Sequence, residues 1–204
     1  MARIIECVPN CSEGRDKEII EYIADAVRSV PGVALMDYSS DENHNRSVYT
    51  IVGDPDQMGE AAKACVEKID MTKHHGEHPR MGAVDVIPFT PVKDVSMEEC
   101  IELSKKVAQR IWEELKMPVT LYEESASAPH RRNLAAIRKG QFEGMPEKLQ
   151  DPKWYPDYGN HEIHPTAGIV AVGARFPLVA FNINLSTSDV EIANKIAKTI
   201  RESS

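Results

Sequence analysis

Apolar positions recur along the chain at two spacings. Residues 3–8 alternate apolar and polar and predict a first strand, ended by Pro9. Ile19, Ile20, Ile23, Ala26 and Val27 fall near helical spacing and predict a helix over 16–29, closed by Pro31-Gly32. Strands predicted over 33–36 and 46–52 flank a polar loop, Asp37 to Asn45. Asp54-Pro55 opens a helix over 55–69. Val84 to Phe89 predicts a strand, with Pro88 and Pro91 marking an edge or an exit. Ser96-Met97-Glu98-Glu99 is a capping box for the longest helix, 97–115, whose core stripe is Cys100, Ile101, Val107, Ile111 and Leu115. A strand at Val119–Glu123 follows, and Pro129 then opens a helix. Residues 140–166 keep no regular period. Strands over 169–174 and 178–183 precede an amphipathic helix, 189–202, with Val190, Ile192, Ile196 and Ile200 as candidate buried positions. The sum predicts an α/β (α+β) layered fold, a mixed or antiparallel β-sheet with helices packed on one face.

The 204 residues suffice for one large domain or two small ones. A formal net charge of −8 argues against nucleic acid as the main partner, though local basic groups can still hold a small anion. No apolar run approaches the ~18 residues of a membrane span. The first residues run straight into a strand without a signal-peptide pattern, so a cytoplasmic protein with no membrane partner is expected. Cys7, Cys11, Cys65 and Cys100 lack metal-quartet spacing and read as structural thiols in a reducing compartment.

The chemistry concentrates between Met71 and Gly82, which holds three of the seven histidines, His74, His75 and His78, together with Lys73, Glu77 and Arg80. Gly76, Gly82 and Pro79 favour a structured loop over a helix. Three readings compete: a polar surface loop, a metal site, and acid–base work by one imidazole tuned by neighbouring charges. The order His-His-Gly-Glu-His-Pro is not the helical zinc pattern His-Glu-x-x-His. Elsewhere, Arg131, Arg132, Arg138 and Lys139 are the densest basic residues; they read either as a solvated helix face or as contacts to an anionic tail. Trp154, Tyr155 and Tyr158, with His161 and His164, favour a functional role for the irregular stretch, since aromatic faces can stack on a flat heterocycle.

The run Lys73-His74-His75-Gly76-Glu77-His78-Pro79-Arg80-Met81-Gly82 resembles the signature of glutamate formimidoyltransferase, the formiminotransferase domain of formimidoyltransferase-cyclodeaminase. Glu6-Cys7-Val8-Pro9-Asn10, Ser12-Glu13-Gly14, Asn45-Arg46, Val48-Tyr49-Thr50, Val95-Ser96-Met97-Glu98-Glu99-Cys100 and Ala180-Phe181-Asn182-Ile183-Asn184-Leu185 match as well, so the similarity covers nearly the whole chain. The resemblance implies an enzyme that moves a formimidoyl group between N-formimidoyl-L-glutamate and tetrahydrofolate; in some bacterial relatives the unit is formyl. It implies tetrahydrofolate as co-substrate, no metal, and a cytoplasmic homodimer in one-carbon metabolism and histidine catabolism.

By the same resemblance the catalytic residue is His78. The family's folate-binding stretch falls on Gly159, Asn160, His161, Glu162, Ile163, His164, Pro165, Thr166, Ala167 and Gly168. This sequence is more charged there than the animal enzymes, so the position carries over better than individual contacts. Glu77 or Asp37 is expected to orient the imidazole, and Arg80, Lys73 or Arg46 to hold a substrate carboxylate. The family has two α/β subdomains; residues 1–174 read as the first, and 175–204 as the opening strand and helix of an incomplete second. The competing expectation is a catalytically incomplete homologue that binds folate or dimerises, with a zinc hydrolase as a third reading requiring stoichiometric metal.

Overall fold

A computed structural model describes residues 3–53, 60–178, 183 and 185–200, apart from the side chains of 60–63. In chain order the elements are β1 (Ile4–Cys7), β2 (Asn10–Cys11), α1 (Lys17–Arg28), β3 (Val33–Asp41), β4 (Arg46–Gly53), α2 (Glu60–Lys68), β5 (Val84–Lys93), α3 (Met97–Leu115), β6 (Val119–Glu123), α4 (Leu134–Arg138), α5 (Gln141–Lys148), β7 (Val170–Ala174) and α6 (Val190–Ile200). Single 3-10 turns sit at Pro129–Arg131 and Pro152–Trp154.

The strands form one mixed sheet. β3 pairs with β4, and β1 and β2 share the next position, each antiparallel to β4 on one side and β5 on the other. Beyond β5 the pairing turns parallel, through β7 to β6. One face carries alternate strand residues such as Ile5, Cys7, Tyr49, Ile51, Ile87 and Phe89, all buried. Against them pack Ile20, Ile23 and Val27 of α1, Cys65 of α2, and Cys100, Val107 and Ile111 of α3. Each such side chain contributes about 1.5–3 kcal/mol of burial, so this layer supplies most of the fold's stability. α1 starts where Asp16 accepts the amides of Glu18 and Ile19, and α3 where Ser96 and Glu99 close their capping box.

The mixed sheet and its one-sided layer of long helices match the expected class. The opposite face is partly covered too: α4 and α5 bring Ile137, Met145 and Leu149 onto Met81, Val86, Tyr122, Ile169 and Ala171. That cover lies over the β6–β7 side and leaves the sheet open near Arg46 and Val48 of β4.

Several elements depart from the sequence expectations. β3 extends to Asp41, so Asp37 lies in a strand rather than in a loop; its ladder with β4 holds the polar residues. β5 runs on through Pro88 and Pro91 in the interior of the sheet. Pro88 serves as an acceptor, taking the Val8 amide at 3.3 Å, and Pro91 adjoins a register shift against β1, where a missing donor is tolerated. α5 forms inside the stretch read as irregular, although it contains Pro146. The apolar residues of α6, expected to be buried, are exposed: Val190 at 68%, Ile192 at 45%, Ile196 at 38% and Ile200 at 59%. The start read at Asp54-Pro55 and most of the strand read over 178–183 lie outside the described residues.

Candidate active site

The histidine loop is held at both ends by one backbone segment. The Met71 amide donates to the Thr166 carbonyl at 2.7 Å, Ala83 to Ala167 at 2.9 Å, and Ile169 to Met81 at 3.1 Å. Gly168 fits this crossing because its φ is +73° and a Cβ there would run into the Met81 carbonyl. The middle of the loop rests on the β3–β4 turn. Asn45, at φ 49°, donates from Nδ2 to the His75 carbonyl at 3.1 Å and accepts the Gly14 amide at Oδ1 at 2.9 Å. Glu77 donates its amide to Asn43 at 3.1 Å, and Gly76 passes so close to the His44 carbonyl that no side chain fits.

The three imidazoles of the loop then differ. His74 is buried with both nitrogens engaged: Nε2–H donates to the Asn45 carbonyl at 2.8 Å, and Nδ1 accepts Arg80 Nε at 3.1 Å. Burial holds its pKa below the ordinary value. His75 is exposed. His78 is half-buried, lies edge-on to His44 with ring centres 6.3 Å apart, and keeps a buried Nε2 with no hydrogen-bond partner. Burial pushes its pKa down to about 4, helped by the nearby guanidinium groups of Arg46 and Arg138. Near pH 7 it is a neutral imidazole with a free ring nitrogen.

Those two arginines line an open groove of about 690 Å³ on the uncovered side of the sheet. Arg132 and Arg175 line it as well, with Asn10, Val48, Val86, Pro88 and Tyr122. Arg138 is paired with Asp85, a buried carboxylate inside β5 that also accepts the Met81 amide at 2.9 Å. Burial raises the Asp85 pKa even beside this guanidinium. Lys148 steadies the end of α4 from which Arg138 projects, donating to the carbonyls of Ala136 and Ile137 at 2.6 Å and Lys139 at 3.1 Å.

Comparison with known proteins fits this arrangement. Residues 4–175 match the family described as "Formiminotransferase domain, N-terminal subdomain". The chain belongs to the formiminotransferase family. It is 60% identical to the glutamate formimidoyltransferase of Streptococcus pyogenes serotype M1, over 100% of this chain and 69% of that one. It is 48% identical to the glutamate formimidoyltransferase of Thermoplasma acidophilum, over 97% and 67%. It is also 48% identical to the mouse formimidoyltransferase-cyclodeaminase, where 99% of this chain spans 38% of the relative.

Within this formiminotransferase subdomain the expected site residues fall into three groups. Arg46 lines the groove, and His78 lies within the electrostatic reach of Arg46 and Arg138 without lining it. Asp37 and Glu77 are exposed and do not line it, and Lys73 is an exposed side chain paired with Asp70 at 3.1 Å. Arg80, expected to hold a substrate carboxylate, has all five donors in use: Nε and Nη2 on His74 Nδ1 and carbonyl, Nη1 on Gln141, and Nη1 and Nη2 on the two Glu143 oxygens at 2.8 and 2.7 Å. It is 5% exposed and ties the histidine loop to α5.

The stretch 159–168 reaches the ends of the loop through Thr166, Ala167 and Gly168, but does not line the groove. His161 stacks on Tyr155 at 3.4 Å, His164 Nδ1 accepts the Ala167 amide at 3.0 Å, Ile163 packs under α5, and Asn160, Glu162 and Pro165 are exposed. Gly159, at φ +117°, packs against Pro118 and Trp112. Arg131 is buried on Asp157 and the carbonyls of Lys153 and Tyr155, not on a solvated face. Sequence reasoning missed Asn10, Arg175 and Asp85. Only Asp85 carried a signal, as a charge inside an apolar strand that needs a partner. Among the described residues no group of three or more His, Cys, Asp or Glu side chains is placed to hold a metal, and no helix is long and apolar enough to cross a membrane.

Proposed function

We propose that the chain carries out formimidoyl transfer between N-formimidoyl-L-glutamate and tetrahydrofolate, with His78 as general acid and base. The observation that carries the reading is the buried, unpartnered Nε2 of a neutral, half-buried imidazole within the electrostatic reach of two guanidinium groups. The relatives named glutamate formimidoyltransferase support the reaction class. Tetrahydrofolate, when bound, supplies the amine that takes the one-carbon unit. The attacking amine must lose a proton and the departing amine must gain one. His78 starts unprotonated near pH 7, so Nε2 can accept the first proton and return it, a role typically worth ~10²–10⁴ in rate. His74 is unsuited to this, because both its nitrogens are spent on the scaffold. Arg46 and Arg138 are suited to anionic substrate groups, and the stretch 159–168 is the folate-side candidate through its hold on the loop.

The same reading takes 1–174 as the first subdomain and 175–204 as the opening of a second, in a cytoplasmic homodimer serving one-carbon metabolism and histidine catabolism. The apolar, exposed face of α6 supports a further layer or partner there. It equally favours the second reading, a catalytically incomplete folate-binding or dimerising module. Calorimetry with 5-formyltetrahydrofolate, paired with a transfer assay to glutamate, separates them. Binding with turnover that His78→Ala abolishes supports the enzyme; binding without turnover supports the module. Full turnover in His78→Ala refutes the assignment of His78.

A further inference from the structure

We propose that His44 is the positioning residue of His78: held on Asp41 at the end of β3, its imidazole packs edge-on with the His78 ring and sets the direction of the buried Nε2. The inference rests on the acid–base reading of His78 and names what orients that imidazole.

A group that moves protons must be aimed as well as unprotonated. The carboxylates expected to aim His78, Asp37 and Glu77, are both exposed, and Nε2 has no hydrogen-bond partner. The ring does meet His44, with centres 6.3 Å apart and planes at 89°, within the range in which aromatic rings pair edge to face. His44 is itself fixed in the turn between β3 and β4. Asp41 Oδ1 accepts the amides of Asn43 at 2.9 Å and His44 at 2.8 Å, and His44 Nδ1 lies 3.3 Å from the same oxygen. Hydrogen bonds from His44, its amide foremost, hold the Asp41 carboxyl below its ordinary value, so the anion is present at neutral pH. The His44 side chain is 47% exposed, so core packing does not account for its place between Asp41 and His78. The turn docks on the histidine loop without that side chain, through the Glu77 amide on the Asn43 carbonyl and Asn45 Nδ2 on the His75 carbonyl, each at 3.1 Å. A change of the His44 ring therefore leaves the docking in place. The charged groups that bear on His78 are Arg46 at the start of β4, Arg138 at the end of α4, His44 and His74; after burial and the two arginines, His44 is the next cause of its lowered pKa.

The test compares His44→Ala with His44→Phe, which keeps a flat ring without the nitrogens, and with Asp41→Asn, which keeps an acceptor for the turn without the charge. In the transfer assay His44→Ala is expected to lower kcat about tenfold, with the KM of either substrate within about twofold of the parent, since the misdirected base weakens the chemical step alone. His44→Phe is expected to recover most of that kcat, and Asp41→Asn to fall between. Circular dichroism checks that each variant is folded. NMR supplies a readout that needs no turnover: cross-relaxation between the ring protons of His44 and His78 in the parent, and a His78 titration that moves up in both His44 variants as a neighbouring positive charge is removed. The proposal is overturned if folded His44→Ala keeps the parent's kcat, if KM rises in place of the fall in kcat, or if His44→Phe loses as much as His44→Ala. Full turnover in His78→Ala would sink the acid–base reading instead, while the NMR contact and titration would still decide whether His44 holds the ring.

Discussion

Arg80→Met separates two roles for one guanidinium. A substrate ligand can be removed with little effect on stability, whereas the pin of the histidine loop cannot. Two of its contacts serve His74, whose Nδ1 and carbonyl are buried acceptors. Leaving each without a donor costs about 1 kcal/mol, the low end for a buried group, because the vacated space admits water. The pair with Glu143 adds only about 0.5–1 kcal/mol, since that carboxylate side chain is 62% exposed and screened by solvent. With the Gln141 contact, the expected loss is about 3 kcal/mol in urea unfolding, or a fall in Tm of about 6–12 °C for a chain of this size. Glu143→Gln, by contrast, should cost under about 1 kcal/mol. It should also remove an acid-sensitive component. Arg80 holds the Glu143 carboxyl down at about 2 from its ordinary 4.5, so the pair's contribution is complete above pH 4.5 and fades as pH falls toward 2. The reasoning fails if Arg80→Met stays within about 1 kcal/mol of the parent while the KM for the amino-acid substrate rises tenfold. That outcome would return Arg80 to the role its sequence position suggested.

Other consequences are equally direct. His78, held near pKa 4 against an ordinary 6.5, contributes stability that is present above pH 6.5 and lost as pH falls through 4. After discounting for its partial exposure, this amounts to about 1 kcal/mol, and His78→Gln should narrow the difference between unfolding free energies at pH 7 and pH 4.5 by about that amount, the rest staying with groups such as His74. The acid limb of kcat/KM, which reports the free protein, is expected near pH 4 rather than 6.5, and a pH–rate profile measures it. Gly76→Ala should lower stability by about 1–3 kcal/mol and depress kcat, because its Cβ meets the His44 carbonyl and lifts the loop; unfolding curves and the transfer assay check both. Asp85→Asn leaves Arg138 buried beside a neutral group and should cost about 3 kcal/mol in urea unfolding.

The sequence showed most clearly the elements that carry their own punctuation. The box Ser96–Glu99 placed α3 correctly, and the apolar spacing of Ile19, Ile20, Ile23 and Val27 placed α1. It concealed elements whose cause is tertiary. The polar half of β3 is a strand because β4 pairs with it, not because Asp37–Asp41 alternates. α5 is disguised by Gly140, Gly144 and Pro146, and forms where Met145 and Leu149 cover the sheet. The histidine run marked the site, but composition could not say which imidazole is spent. His74 and His78 differ above all because Asn45 and Arg80 take both nitrogens of the first and none of the second. Arg175 had no signal at all, since its place beside Arg46 depends on β7 lying next to β5.

The loop and the groove are one electrical unit, with consequences for the role proposed for His78. A pKa near 4 leaves His78 neutral but poorly matched to moving protons at pH 7. Two of the causes, Arg46 and Arg138, are also groove arginines on which a carboxylate would settle. An anion there offsets their charge and removes part of what depresses the imidazole, so its basicity rises as the site fills. By linkage, protonation of His78 must favour the anion by the same factor. Asp85 already neutralises Arg138 from behind and thereby limits the repulsion, which leaves Arg46, without a carboxylate partner among the described residues, as the arginine whose neutralisation matters most. The fold thus keeps its imidazole neutral at rest and makes its strength as a base depend on the charge of what binds beside it.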